Sequence, residues 1–219
     1  MGIRYNTSIV RDGLVLHLDA ANKKSYPGTG TVWKDLSGNG NNGTLVNGVA
    51  FSNDNKGTMS FDGSSKRATI TSVQSSSFLT ANTWYRRNEV TSSTIWRTLF
   101  ATATTNIHHL IMQQNTRNLG IFDGSFRDFG FNPPADNNFH NYSVIYENQS
   151  NASLYVDGNF VSNIITTLNL QTSGISSIGN WNSGNYWAGD ISTAQIYNRA
   201  LSVQEIKQNF EALRGRYGI

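Results

Sequence analysis

Along most of this chain, apolar residues recur at every second position in short runs, and Gly, Asn, Asp or Ser closes each run. Such spacing puts successive side chains on opposite faces of extended backbone, so the chain is committed to half-buried strands. Leu14, Leu16 and Leu18 share one face of an opening strand, with Val15, His17 and Asp19 on the other. Tyr142, Val144 and Tyr146 alternate with Ser143 and Ile145, break at a polar turn over 148–151, and resume as Leu154 and Val156 before Asp157-Gly158. Two consecutive hairpins are expected there. A third is expected where Met59-Ser60-Phe61 closes on Asp62-Gly63 and 67–71 pairs back across the turn. Between 78 and 131 strands are expected around Trp84, Ile95–Ala101, His109–Met112 and Leu119–Phe122.

The C-terminal segment departs from this period. Ser202 and Glu205 make a Ser-x-x-Glu capping box, in which hydroxyl and carboxylate each satisfy a free backbone N–H at a helix start. Val203, Ile206, Phe210 and Leu213 follow at spacings of three and four as a packing stripe, with Lys207, Gln208 and Glu211 facing water. A short helix over 202–213 is expected, ended by Gly215 and Gly218. The 20 glycines and the many Ser, Thr and Asn residues otherwise read as loops of an all-β protein.

A chain of 219 residues without cysteine is expected to form one domain held by packing alone. We divide it into an N-terminal arm (1–12), a domain (13–213) and a C-terminal tail (214–219), and Met1–Val10 and Arg214–Ile219 are candidate docking arms. The first residues lack the apolar core of a secretion signal, and no apolar run approaches the roughly 20 residues of a membrane helix. Assembly in cytoplasm, with no membrane partner, is therefore expected. The net charge of +3 arises from scarce glutamate, and the basic residues are scattered apart from Lys23-Lys24, Arg86-Arg87 and 214–216. Nucleic acid is not an expected partner.

Catalysis is not expected. Glycoside hydrolysis uses two facing carboxyls about 5–9.5 Å apart, whereas Glu89 and Glu147 fall in loops and Glu205 and Glu211 in the helix. Asp123 and Asp128 flank a turn, with Arg127 as screening partner. His108 and His109 are adjacent on a strand and point to opposite faces, so they do not share a metal. Nucleophile-elbow, phosphate-loop and zinc-protease motifs are absent from the sequence.

Two stretches carry binding chemistry. Asn180-Trp181-Asn182-Ser183-Gly184-Asn185-Tyr186-Trp187 offers an aromatic face with flanking amides, the chemistry a sugar needs. Trp181, Asn182, Asn185 and Tyr186 are its candidate carbohydrate-binding residues, and Trp187 is placed at the start of the next strand's core. Trp33 and Trp84 are expected to anchor the core, and Tyr26-Pro27-Gly28 with 29–33 forms a rim loop open to a glycan or to a subunit. In the loop Asp35–Gly43, Asp35, Ser37, Asn39 and Gly40 copy the first half of an EF-hand, but Val46 stands where the bidentate glutamate belongs. The other reading is a long turn whose Asp and Asn side chains satisfy backbone groups.

The run Gly189–Leu201 into Ser202–Glu205, together with Gly13–Asp19 and Leu154-Tyr155-Val156-Asp157-Gly158, resembles the concanavalin A-like, laminin-G-like lectins. Trp84-Tyr85-Arg86-Arg87 and Phe139–Tyr146 stand where that family places its own strands. The resemblance implies a two-sheet antiparallel jelly-roll sandwich with one short C-terminal helix. It also implies a rim calcium, for which Asp35, Asn39, Asn41, Asp62 and Asp190 are the ligand candidates. Glucanases of this fold carry a Glu-x-Asp-x-x-Glu strand that is missing here. The wording of Gly13–Ala20, Ser25–Gly28 and Ile196–Ser202 is similar to virion structural proteins of tailed bacteriophages. That implies a capsid-surface or tail component, homo-oligomeric in the particle, meeting other virion subunits and attaching to surface polysaccharide. The alternative is a dedicated carbohydrate-binding lectin module, calcium-dependent and not primarily structural.

Overall fold

The computed structural model describes residues 8–73, 78–87, 94–102, 105–169, 174–182 and 184–219. The alternating runs form β1 (Leu14–Asp19), β2 (Val32–Trp33), β3 (Gly43–Val46), β4 (Ala50–Ser52), β5 (Thr58–Asp62), β6 (Arg67–Val73), β7 (Leu79–Arg86) and β8 (Arg97–Ala101). They continue as β9 (His108–Met112), β10 (Leu119–Phe122), β11 (Phe126–Phe131), β12 (His140–Asn148), β13 (Asn151–Val156), β14 (Asn159–Ile165), β15 (Ile175–Ile178) and β16 (Ala188–Tyr197). The helix α1 (Val203–Leu213) follows.

Two antiparallel sheets result. One runs β14-β13-β12-β7-β16-β5-β4, and β1 joins it beside the second half of β16, where β5 has ended. The other runs β11-β10-β9-β8-β15-β6-β3-β2. Between them lies the core of a jelly-roll sandwich: Leu16, Leu18, Met59, Tyr85, Tyr142 and Val144 of the first sheet meet Trp33, Ile70, Phe100, Leu110 and Ile178 of the second. Burying each such side chain contributes about 1.5–3 kcal/mol. Tyr85 stacks on Tyr142 with centroids 4.1 Å apart, and Trp187 meets Tyr85 edge-on at 4.7 Å.

The expected consecutive hairpins β12–β13 and β13–β14 form, and the structure sets their register with Val144 facing Leu154. The expected hairpin between Met59–Asp62 and 67–71 does not form. β5 pairs with β16 and β4, while β6 pairs with β15 and β3 in the other sheet. The Asp-Gly signal does make a turn: Asp62 accepts N–H bonds from Ser64, Ser65 and Lys66, and Gly63 has φ 74°. The turn carries the chain across the sandwich, because both strands hold apolar faces that two different sheets bury.

Trp84 is fully buried, but outside the inter-sheet core. Its neighbour Tyr85 points inward, so strand alternation turns Trp84 outward, where Phe210 of α1 and Tyr217 cover it with centroids 5.6 and 4.1 Å away. The capping box forms as expected. The expected packing stripe is altered: Val203 is 54% exposed, and Asn209 is buried instead. Asn209 earns that place by accepting from the Val10 N–H at 2.8 Å and donating to the Tyr197 hydroxyl at 3.0 Å. Residues 1–7 of the first docking-arm candidate, the end of the 72–77 serine run and Glu89 lie outside the described residues. In the second candidate, Arg216 grips Asp19 through two bonds of 2.8 and 2.9 Å.

Candidate functional site

Three segments far apart in sequence bring aromatic rings to the outer side of the second sheet. Ile121 packs in the core, so alternation turns Phe122 outward. Beside it lie Trp96 from just before β8, Phe126 from the start of β11, and Trp181 from the turn after β15. Trp96 meets Phe126 edge-on at 5.1 Å and Phe122 at 6.4 Å. With Asn106, His108, Ile111 and Asn185, the rings of Trp96, Phe122 and Trp181 line an open depression of about 170 Å³.

Local backbone choices build this surface. A Cβ on Gly120 would lie 2.4 Å from the Phe126 ring and 2.3 Å from the Arg127 carbonyl oxygen. Only glycine lets that ring lie flat across β10. Trp181 and Gly184 exchange backbone bonds of 3.0 and 2.7 Å, closing a tight hairpin with Asn182 at φ 40°. The Asn185 carbonyl takes the Thr98 N–H at 2.8 Å, pinning that hairpin to β8.

His108 sits at the floor, 5.4 Å from the Trp181 ring and 5.7 Å from that of Phe122. Burial lowers its pKa to about 4, so it is neutral at pH 7. Its Nε2 lies 2.8 Å from the Asn106 carboxamide oxygen, which only accepts, so the proton belongs on Nε2. Nδ1 then accepts from the Thr98 hydroxyl at 2.8 Å. His109 faces the other way, edge-on to Tyr146 at 5.5 Å, as strand alternation requires.

Of the sequence candidates, Trp181 and Asn185 line the depression and Asn182 is exposed at the adjoining hairpin tip. Tyr186 does not line it; its carbonyl accepts from Arg97 at 2.9 Å. Trp187 is a core residue. Trp96, Phe122, Phe126, Asn106 and His108 were missed, because they come from three separate stretches (96, 106–108 and 122–126) that only sheet register and loop packing bring together.

The calcium candidates are not gathered into one place. Asp35 is buried, and its carboxylate accepts from the His17, Ser37 and Asn41 N–H groups and from the Ser37 hydroxyl at 2.7–3.0 Å. Those four donors occupy the lone pairs a cation would use. Asn39 and Asn41 turn their amide N–H groups to the Leu14 and Val15 carbonyls. Asp62 caps its own turn, and Asp190 holds Arg86 at 2.7 Å and Ser60 at 2.5 Å. This donor set does not fit a cation. Asp123 serves its turn, held by Arg127 at 3.1 Å.

Two facing sheets, a helix-covered outer face and an aromatic depression on the opposite outer face define a lectin-type sandwich. The chain belongs to the concanavalin A-like lectin/glucanase superfamily, whose family model matches residues 62–207. No curated protein sequence matches it. Among solved structures it is similar to domain 4 of the extracellular arabinanase AbnA of Geobacillus stearothermophilus, in complex with arabinotriose. That match has TM-score 0.67 and 16% identity over 90% of this chain and 97% of that one. It is also similar to the binding domain of botulinum neurotoxin DC in complex with rat synaptotagmin II (TM-score 0.69, 14% identity, 93% and 52% covered). A third is the Trypanosoma rangeli sialidase (TM-score 0.66, 15% identity, 93% and 33% covered). The chain thus spans about half of the neurotoxin domain and a third of the sialidase. At these identities the likeness is one of fold.

Proposed function

We propose that this chain is a carbohydrate-binding module without catalysis of its own, and that it takes saccharide rings on the depression lined by Trp96, Phe122 and Trp181, with Phe126 packed against Trp96. The observation that carries the reading is the gathering of these rings outside the core, with Asn106 and Asn185 at the margin. Aromatic faces receive the C–H surface of a sugar, and amides bond its hydroxyls. Among the described residues lining the depression there is no carboxylate, whereas hydrolysis uses two. The arabinotriose complex of a domain with this fold supports a saccharide as the ligand.

The module's setting, in this reading, is a bacteriophage particle, as capsid decoration or as a tail or fibre component assembled in several copies in the host cytoplasm. The wording of 13–20, 25–28 and 196–202 supports that setting. The test is an array of bacterial surface polysaccharides, probed with the wild-type chain and with Trp96→Ala. Retention by the wild type and loss in the variant, with unchanged melting, is the expected result. Silence of the wild type on every glycan would leave a virion building block that uses the sandwich for assembly alone.

A further inference from the structure

Lysines separated in sequence meet around the rim loop that follows β1. Lys23, Lys24 and Lys34 line a depression of about 410 Å³ on one side of Pro27 and Thr29. Lys23 and Lys56 line another of about 350 Å³ on the other side, with Tyr26, Pro27 and Gly28 between them. All four lysines are exposed, and none makes an ion pair among the described residues. Neither depression is lined by a carboxylate among those residues. The acidic groups nearby are committed elsewhere: Asp19 to Arg216, Asp54 to Arg86 at 3.1 Å, and Glu211, across Lys56, to Arg214 at 2.7 Å.

The loop is built rigidly beneath this charge. The Tyr26 hydroxyl donates to the Gly30 carbonyl at 2.9 Å, and its ring packs on Phe51 at 5.3 Å. Ser25 and Lys34 close the neck, the Lys34 N–H donating to the Ser25 carbonyl at 2.7 Å and the Ser25 hydroxyl to the Lys34 carbonyl at 2.5 Å. An ordered backbone therefore holds like charges together without a counter-charge, an arrangement that a bound anion stabilises.

We propose that this rim is a second binding site, separate from the aromatic depression, for an acidic polysaccharide bearing carboxylate or sulfate groups along its chain. Thr29, Thr31 and the backbone of Gly30 supply partners for sugar hydroxyls beside the ammonium groups, and Val32, 53% exposed, supplies an apolar contact. A single-stranded nucleic acid fits less well, since it needs free aromatic faces for its bases. Here Tyr26 is buried and its ring is already packed on Phe51.

The test is biolayer interferometry of the full chain against polygalacturonate, dextran sulfate, neutral dextran and oligo(dT). Binding to one or both acidic polymers, about tenfold weaker on raising salt from about 20 to 200 mM, is expected, with silence on neutral dextran. The polymer that binds identifies carboxylate or sulfate as the partner. The combined variant Lys23→Gln, Lys24→Gln, Lys34→Gln should bind about tenfold more weakly with unchanged melting, and Lys207→Gln on α1 should bind as wild type. Trp96→Ala should keep acidic-polymer binding whole, which separates this site from the aromatic one. No binding to either acidic polymer, equal binding by the triple variant, or oligo(dT) competing at equal or lower concentration would overturn the proposal.

Discussion

The indole N–H of Trp181 donates to the carbonyl oxygen of Thr105 at 3.1 Å, tying the hairpin after β15 to the loop before β9. This bond makes the ring part of the wall of the depression, so its removal costs stability as well as contact area. Trp181→Phe keeps an aromatic face and loses the bond; it is expected to cost about 1 kcal/mol in urea denaturation and to keep glycan retention. Trp181→Ala should lose both.

Gly120→Ala should destabilise the sandwich by about 2–3 kcal/mol or more, because its Cβ meets backbone that does not yield. The displaced Phe126 ring should also cost glycan binding. Gly184→Ala is the comparison: among the described residues beyond its chain neighbours, its Cβ has only the Trp181 carbonyl oxygen, at 3.7 Å, within reach. Chemical denaturation should place that variant within about 0.5 kcal/mol of wild type.

Burial holds His108 near a pKa of about 4, and burial with the neighbouring His108 charge holds His109 near about 3. Both folded values lie below that of an unfolded histidine, so the unfolded chain binds more protons as pH falls. The stability these groups contribute is present above about pH 6.5 and is lost progressively as pH drops through the folded values. His109→Phe keeps the edge contact with Tyr146 and removes one titration; its melting temperature should fall less between pH 6.5 and 4 than that of wild type.

Glu205 is held at a pKa of about 2, first by the Arg199 guanidinium, against burial, and then by the Ser202 N–H. A depressed carboxylate contributes stability above its unfolded value, and that stability is lost as pH falls toward 2. Glu205→Gln should cost about 1 kcal/mol at pH 7, with a smaller difference from wild type at pH 2.5. Guanidinium titrations at the two pH values measure it.

With every Asp35 oxygen occupied by protein donors, calcium and chelator are expected to leave the melting temperature unchanged. Asp35→Ala, which strips partners from four donors, should cost about 3 kcal/mol. A chelator-sensitive melt would return the rim calcium to consideration.

Local chemistry was legible in the sequence alone. Period-two alternation identified strands such as β1, β12 and β13 but not the short β2, β3, β4 and β15, Ser202 and Glu205 identified the helix start, and Asp157-Gly158 identified a hairpin turn, because each signal acts within a few residues. Opposite faces for His108 and His109 followed from the same alternation. What crosses the chain did not. Whether the turn at Asp62-Gly63 closes a hairpin or changes sheet depends on which distant strand buries each apolar face, and Trp84 is core or outer face according to whether Phe210 and Tyr217 reach it. The aromatic depression and the lysine rim are both of this kind. Trp96 and Trp181, or Lys23 and Lys56, come together only through sheet register and loop packing, interactions whose partners are set by the whole folded chain and carry no spacing in the sequence.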